Sequence, residues 1–210
     1  MTLPTLEQAH KIVTDLADEL HRLNVRNKSS FGHYLRVAQN AKEIALYVPH
    51  LNPEKAYIMG LVHDYGQAEE TRDKRRFHGL AGYESLMKMG YDEAARACLV
   101  HSFFEWEEIT PERYHSYDKD CILECARLLK QRPFDDYDRL VHLADLTVTG
   151  YKATSIEMRF EYLAATYRIN EKLIKDKFLM ACRLKHYFDE LCGKDVYDIL
   201  GIQSLNNPCE

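Results

Sequence analysis

The chain has 210 residues, 46% of them hydrophobic and 29% charged, and a formal net charge of −5. That balance suits one sizeable packed core and lacks the basic surplus of a dedicated nucleic-acid binder. No apolar run approaches the roughly 20 residues needed to span a bilayer, and Met1-Thr2-Leu3-Pro4 has no charged region leading into an apolar block, so no secretory signal is read.

In chain order, residues 5–22 place Leu6, Ala9, Val13, Leu16, Ala17 and Leu20 on one helical stripe. Ser29 and Ser30 offer N-caps for a second helix, whose stripe runs Tyr34, Val37, Ala38, Ala41, Ile44, Ala45 and Val48, with His33 in its first turn. Asn52-Pro53, a cap followed by proline, starts a helix through Ala56, Met59 and Val62. It is expected to carry His63 and Asp64 in its last turn and to stop at Gly66. The polar run from Gln67 to Arg76 reads as a loop. His78 opens a helix through Leu80, Ala81, Leu86 and Met87 that Gly90 closes. Asp92 caps the next, with Ala94, Ala95, Cys98 and Leu99 leading to His101.

Glu105 to Lys119, which holds the only tryptophan, Trp106, reads as a mobile polar segment. Helices are expected from Cys121 to Lys130 and from Tyr137 to Leu146, the second carrying Asp145. Thr154-Ser155-Ile156-Glu157 is a capping-box pattern for a helix through Phe160, Leu163 and Tyr167. A last long helix runs from about Glu171 to Cys192 and ends at Gly193. No repeat, low-complexity tract or strand alternation stands out. The expectation is a single all-α domain over residues 1–210, with a motif-bearing core at about 30–150 and C-terminal helices at 155–200 packed on it.

Six cysteines, at positions 98, 121, 125, 182, 192 and 209, form no CxxC pair, which reads as reduced thiols in a cytoplasmic protein. Cys121 and Cys125, four apart on one helix, read as small core residues.

The chemistry-bearing feature is the pair His63-Asp64 at the end of an apolar segment. Imidazole offers one nitrogen to a metal, and a carboxylate offers two oxygens that can bridge two ions. An isolated His-Asp pair arises often by chance, and its burial is costly unless a cation satisfies it. Its company gives it weight: His33, His78, His101 and Asp145 each lie in a separate helix-like pattern. His10, His21, His50, His115 and His186 read as surface or interface residues. His142, three residues before Asp145, is a candidate support behind the ligands.

Laid out in order, these residues resemble the HD-domain superfamily of metal-dependent phosphohydrolases. The matching pieces are Gly32-His33-Tyr34-Leu35-Arg36-Val37-Ala38, Gly60-Leu61-Val62-His63-Asp64-Tyr65-Gly66, His78-Gly79-Leu80-Ala81-Gly82-Tyr83-Glu84, Val100-His101 and Leu143-Ala144-Asp145. The H…HD…H…H…D series spans roughly residues 30–150 and is most similar to small bacterial members related to the YqeK-type dinucleotide hydrolases. The resemblance implies a first divalent metal held by His33, His63, Asp64 and Asp145. Asp64, the expected catalytic residue, would bridge to a second metal completed by His78 and His101. Iron, manganese and other transition metals all suit such ligands. Two features depart from relatives: Gln67 stands where many have lysine, and Ser102 follows His101 where cyclic-dinucleotide members often have a second histidine.

The expected function is metal-assisted hydrolysis of a phosphoester or phosphoanhydride in a nucleotide-like small molecule, with no nucleic-acid polymer and no membrane as partner. Lys152 and Arg159 could contact phosphate oxygens, or be solvated surface charges; Arg75 and Arg76 are weaker candidates. The same six ligands also occur in di-iron oxygenases of the HD scaffold, acting on small hydroxylated or phosphonate substrates. A further alternative is a binding or regulatory module without catalysis.

Overall fold

A computed structural model describes residues 2–24, 31–166, 171–203 and 209. It is an all-α fold. The Ser29 and Ser30 caps and Tyr167 lie outside the described residues.

α1 (Leu6–Arg22) starts at a capping box in which the Thr5 hydroxyl accepts from the Gln8 amide and the Gln8 side chain accepts from the Thr5 amide. Its inward stripe is Ala9, Val13, Leu16 and Leu20; Leu6, at the helix start, stays exposed. α2 (Phe31–Ala45) buries the stripe expected for it, and Val48 is buried just beyond its end. α3 (Pro53–Val62) begins as its sequence requires: the Asn52 side chain accepts from the Glu54 and Lys55 amides, with proline in the first turn. α2 and α3 approach closely because small residues face each other. A Cβ on Gly60 would lie only 3.0 Å from the Ala38 Cα.

His63 is the C-cap of α3 and Asp64 follows it in the turn, so the pair sits just past the helix rather than in its last turn. Gly66 then opens another helix instead of a loop. The segment expected to be irregular holds α4 (Gln67–Arg72), in which only Ala68 is buried. α5 (His78–Lys88) and α6 (Asp92–Val100) follow as an antiparallel pair. Glycines let α5 seat against its neighbours: a Cβ on Gly82 would stand 2.8 Å from the Cys98 sulfur.

The segment from Glu105 to Lys119 is not simply mobile and polar. Trp106–Glu108 form a 3₁₀ turn, and Glu108 and Ile109 are buried. α7 (Lys119–Lys130) buries Cys121 and Cys125 among Ile122 and Leu129, and α8 (Asp136–Leu146) starts at an Asp135–Asp138 capping box.

A short hairpin follows α8 where no strand was expected. β1 (Val148–Thr149) pairs antiparallel with β2 (Lys152–Ala153), Val148 opposite Ala153 and Thr149 opposite Lys152. Gly150 takes φ +62° in the turn, which glycine adopts without steric cost. α9 (Ile156–Thr166) is capped one residue later than the sequence pattern suggested, the Met158 amide donating to the Ser155 hydroxyl. α10 (Glu171–Cys192) and α11 (Val196–Leu200) complete the chain, and Phe188 and Leu184 of α10 join α2 and α8 in one apolar cluster.

The cysteines need one correction. Cys98, Cys121, Cys125 and Cys192 are free, but Cys182 and Cys209 form a disulfide across 27 positions, tying residue 209 to α10. The absence of CxxC spacing carried no information about this pair.

Candidate metal centre

Six side chains from separate parts of the chain converge. His33 comes from the first turn of α2, His63 and Asp64 from the turn after α3, and His78 from the start of α5. His101 caps α6, and Asp145 comes from the last turn of α8. Asp64 stands in the middle. Its Oδ2 lies 3.4 Å from His63 Nε2 and 3.7 Å from His33 Nε2. Its Oδ1 lies 3.4 Å from both His78 Nε2 and His101 Nε2. Asp145 Oδ1 closes the first group, 3.2 Å from His33 Nε2 and 3.8 Å from His63 Nε2. Two sets of donors therefore share one carboxylate, and each set is compact enough to surround an ion.

The outward nitrogens of the four imidazoles are all engaged. His33 Nδ1 meets the Gly150 carbonyl at 3.1 Å, His63 Nδ1 the Gly60 carbonyl at 2.7 Å, and His101 Nδ1 the Cys98 carbonyl at 2.8 Å. His78 Nδ1 meets the Glu70 carboxylate. A carbonyl or carboxylate can only accept, so each Nδ1 carries a proton, and each Nε2, once neutral, presents a lone pair inward. That tautomer is the one a metal needs. His63 Nε2 is also buried without a hydrogen-bond partner, which a cation would satisfy. The donor set fits divalent transition metals on these grounds.

The electrostatics agree. Burial alone would raise the Asp64 carboxyl pKa, but the charge on His63 and the His101, His63 and His78 imidazoles set against its two oxygens hold it well below the ordinary carboxylate range. Asp145 is likewise held low: burial opposes this, and the Arg159 guanidinium with the His33 and His63 imidazoles outweighs it. Burial pushes His63 down, yet Asp64 and then Asp145 overturn that and lift it to about 9.

These shifts set a pH dependence. A protonated His63 stabilises the metal-free fold fully below the ordinary imidazole pKa near 6.5, and that contribution is lost as pH rises through about 9. A bound cation displaces the same proton. The rise in Tm on adding Mn²⁺ to chelator-treated protein is therefore expected to grow steadily from pH 6.5 to pH 8.5. A Tm gain that stays flat across that window would contradict this account.

Other expected residues fall in different places. Arg159 reaches the cluster, its Nη2 3.5 Å from Asp145 Oδ1, and its Nε is buried without a hydrogen-bond partner. Lys152 is exposed on β2, with its ammonium 5.8 Å from the Tyr151 ring centre. Arg75 pairs with Asp118 at 2.6 Å and Arg76 pairs with Glu84. Gln67 donates its amide to Asp64 Oδ2 and accepts from the Tyr34 hydroxyl. His142 is buried against the Phe104 ring, centres 4.2 Å apart, and burial with the nearby Lys177 charge pushes its pKa down to about 3. Glu70 was missed, because it lies in the segment read as a loop and its partner His78 is eight residues away.

A family model described as HD domain matches residues 30–149. No curated protein matches the chain, and no solved structure does.

Proposed function

The chain belongs to the HD-domain family of metal-dependent hydrolases, and from that premise we propose that it is a phosphohydrolase cleaving a phosphoester or phosphoanhydride of a nucleotide-like small molecule. The observation that carries this reading is the division of Asp64, one carboxylate oxygen facing His33 and His63 and the other facing His78 and His101. Two divalent cations held by these donors would supply Lewis acidity toward a phosphoryl oxygen and a lowered pKa for a water between them.

The protein's own groups do the rest. Asp64 and Asp145 stay ionised and hold negative charge toward the metals. The four Nδ1 hydrogen bonds fix ring orientation, so little reorganisation is needed when charge develops. Arg159 sets its guanidinium beside Asp145 with its Nε lacking a hydrogen-bond partner, which suits it to a phosphate oxygen. Lys152, exposed on the adjoining hairpin, is available to an outer part of the substrate. The small acidic chain and its lack of a basic surplus support a small-molecule substrate rather than a nucleic-acid polymer, and we place the protein in the cytoplasm.

The test is phosphate release from a panel of nucleotides and dinucleoside polyphosphates, with protein loaded anaerobically with iron or manganese. Release that stops on chelation and returns on reloading is the expected result. Silence across the panel with metals verified bound, together with oxygen consumption on a phosphonate or polyol, would replace this reading with the oxygenase.

A further inference from the structure

We propose that Lys177 forms a second anion-binding position beside the metal cluster, so that the substrate carries two anionic groups, one at the Asp64 cluster with Arg159 and one against Lys177. This rests on the phosphohydrolase reading and adds a substrate class to it.

Lys177 lies on α10, outside the residues that the family model matches, so it belongs to what this chain adds to the scaffold. Its ammonium donates to the Ser102 carbonyl at 3.3 Å and to the Tyr114 hydroxyl at 2.9 Å. Ser102 directly follows His101, and His142 feels the charges of Lys177, Asp145 and His101 together, which sets the ammonium near the cluster; Arg159 stands at its Asp145 half. Both hydrogen bonds are to neutral oxygens, and an ammonium has three N–H donors. No described carboxylate forms an ion pair with it.

The charged groups around it balance its charge only in part: Glu108 acts on it from beyond ion-pair distance. Glu108 is buried, but its Oε1 accepts from the Phe104 amide at 2.5 Å and its Oε2 faces Arg113 at 3.9 Å. Glu108 therefore serves two cations at once, Lys177 and Arg113, and one positive charge remains as the surplus. His142, packed on Phe104 one helical turn before Asp145, senses both the Lys177 ammonium and the Asp145 carboxylate, and it is neutral. It therefore adds no positive charge between Lys177 and the cluster. A partly buried, unpaired cation is costly to keep, and burial already pushes the Lys177 pKa down. An anionic group of the ligand would balance it. Phosphoanhydrides and bisphosphorylated small molecules carry such a second group; simple monoesters do not.

The competing account is that Lys177 only ties α10 to the segment after His101. Titration calorimetry on manganese-loaded protein separates the two, using inorganic phosphate, methylenediphosphonate and propane-1,3-diphosphonate as probes. Wild-type protein should bind at least one diphosphonate more tightly than phosphate. Lys177→Gln should lose about tenfold of that diphosphonate affinity, the worth of one charge-assisted hydrogen bond, with phosphate affinity within about twofold of wild type and metal content unchanged. Lys177→Arg should restore most of the loss. Equal losses for all three probes with a lowered Tm, or no loss for any, would overturn the proposal. If Lys177→Gln does not fold, wild-type protein decides: phosphate bound as tightly as both diphosphonates also overturns it. A wild-type protein that holds its metals and binds none of the three probes would instead overturn the phosphohydrolase reading itself.

Discussion

Replacing Asp64 with alanine is expected to empty both halves of the cluster and to lower turnover by roughly a thousandfold or more. The other five candidate ligands each stand in one half; Asp64 alone faces both, with Oδ1 3.4 Å from His78 and His101 and Oδ2 3.4 Å from His63. Without it, His33, His63 and Asp145 remain on one side and two imidazoles on the other, with no shared anion to offset two dications. Several kcal/mol of charge stabilisation would leave with the metals, and each 1.4 kcal/mol or so is tenfold in rate. Metal content by mass spectrometry and phosphate release under saturating manganese are the measurements. An Asp64→Ala protein that keeps its metals and its rate would remove Asp64 from the centre of the site.

Gly66→Ala is expected to destabilise the fold by about 3 kcal/mol or more, at the upper end of overpacking costs. The reason is space rather than backbone conformation, because Gly66 has φ −79°, which any residue adopts. An added Cβ would overlap the His78 carbonyl oxygen and lie 2.5 Å from the Gly82 amide nitrogen. Both obstacles are main chain and cannot rotate away. α5 would have to shift, carrying His78 with it, so the Asp64 Oδ1 side should lose metal before the Oδ2 side does. For a chain of this length the expected fall in Tm is roughly 6–12 °C. A variant melting within 2 °C of wild type would show that α5 is held less tightly against the turn than described.

The helices were legible where a buried stripe and a cap coincide. α1 and α3 carry both, and their starts agree with the sequence to within a residue. The ordered His and Asp series was legible through its residue order and its likeness to the HD pattern, although neither reveals that Asp64 lies in the turn past α3 rather than in the helix. α4 was not, since a six-residue helix with one buried side chain has no stripe to read. The hairpin after α8 was missed for a similar reason: two residues per strand leave no alternation. Glu70, Lys177 and the Cys182–Cys209 bond depend on partners brought together by tertiary packing, with nothing in the local spacing to announce them.

The four imidazoles are not equally exposed to change. Three of them lean on main-chain carbonyls, at Gly150, Gly60 and Cys98, which no single side-chain substitution can delete. His78 alone leans on a side chain, Glu70. The half of the cluster built on His33, His63 and Asp145 is thus insulated against mutational drift. The half built on His78 has an adjustable support, and changing residue 70 would alter the basicity of one ligand while leaving its neighbours in place. Evolution, or a designer, would find there the means to retune or abandon one donor set while keeping the other.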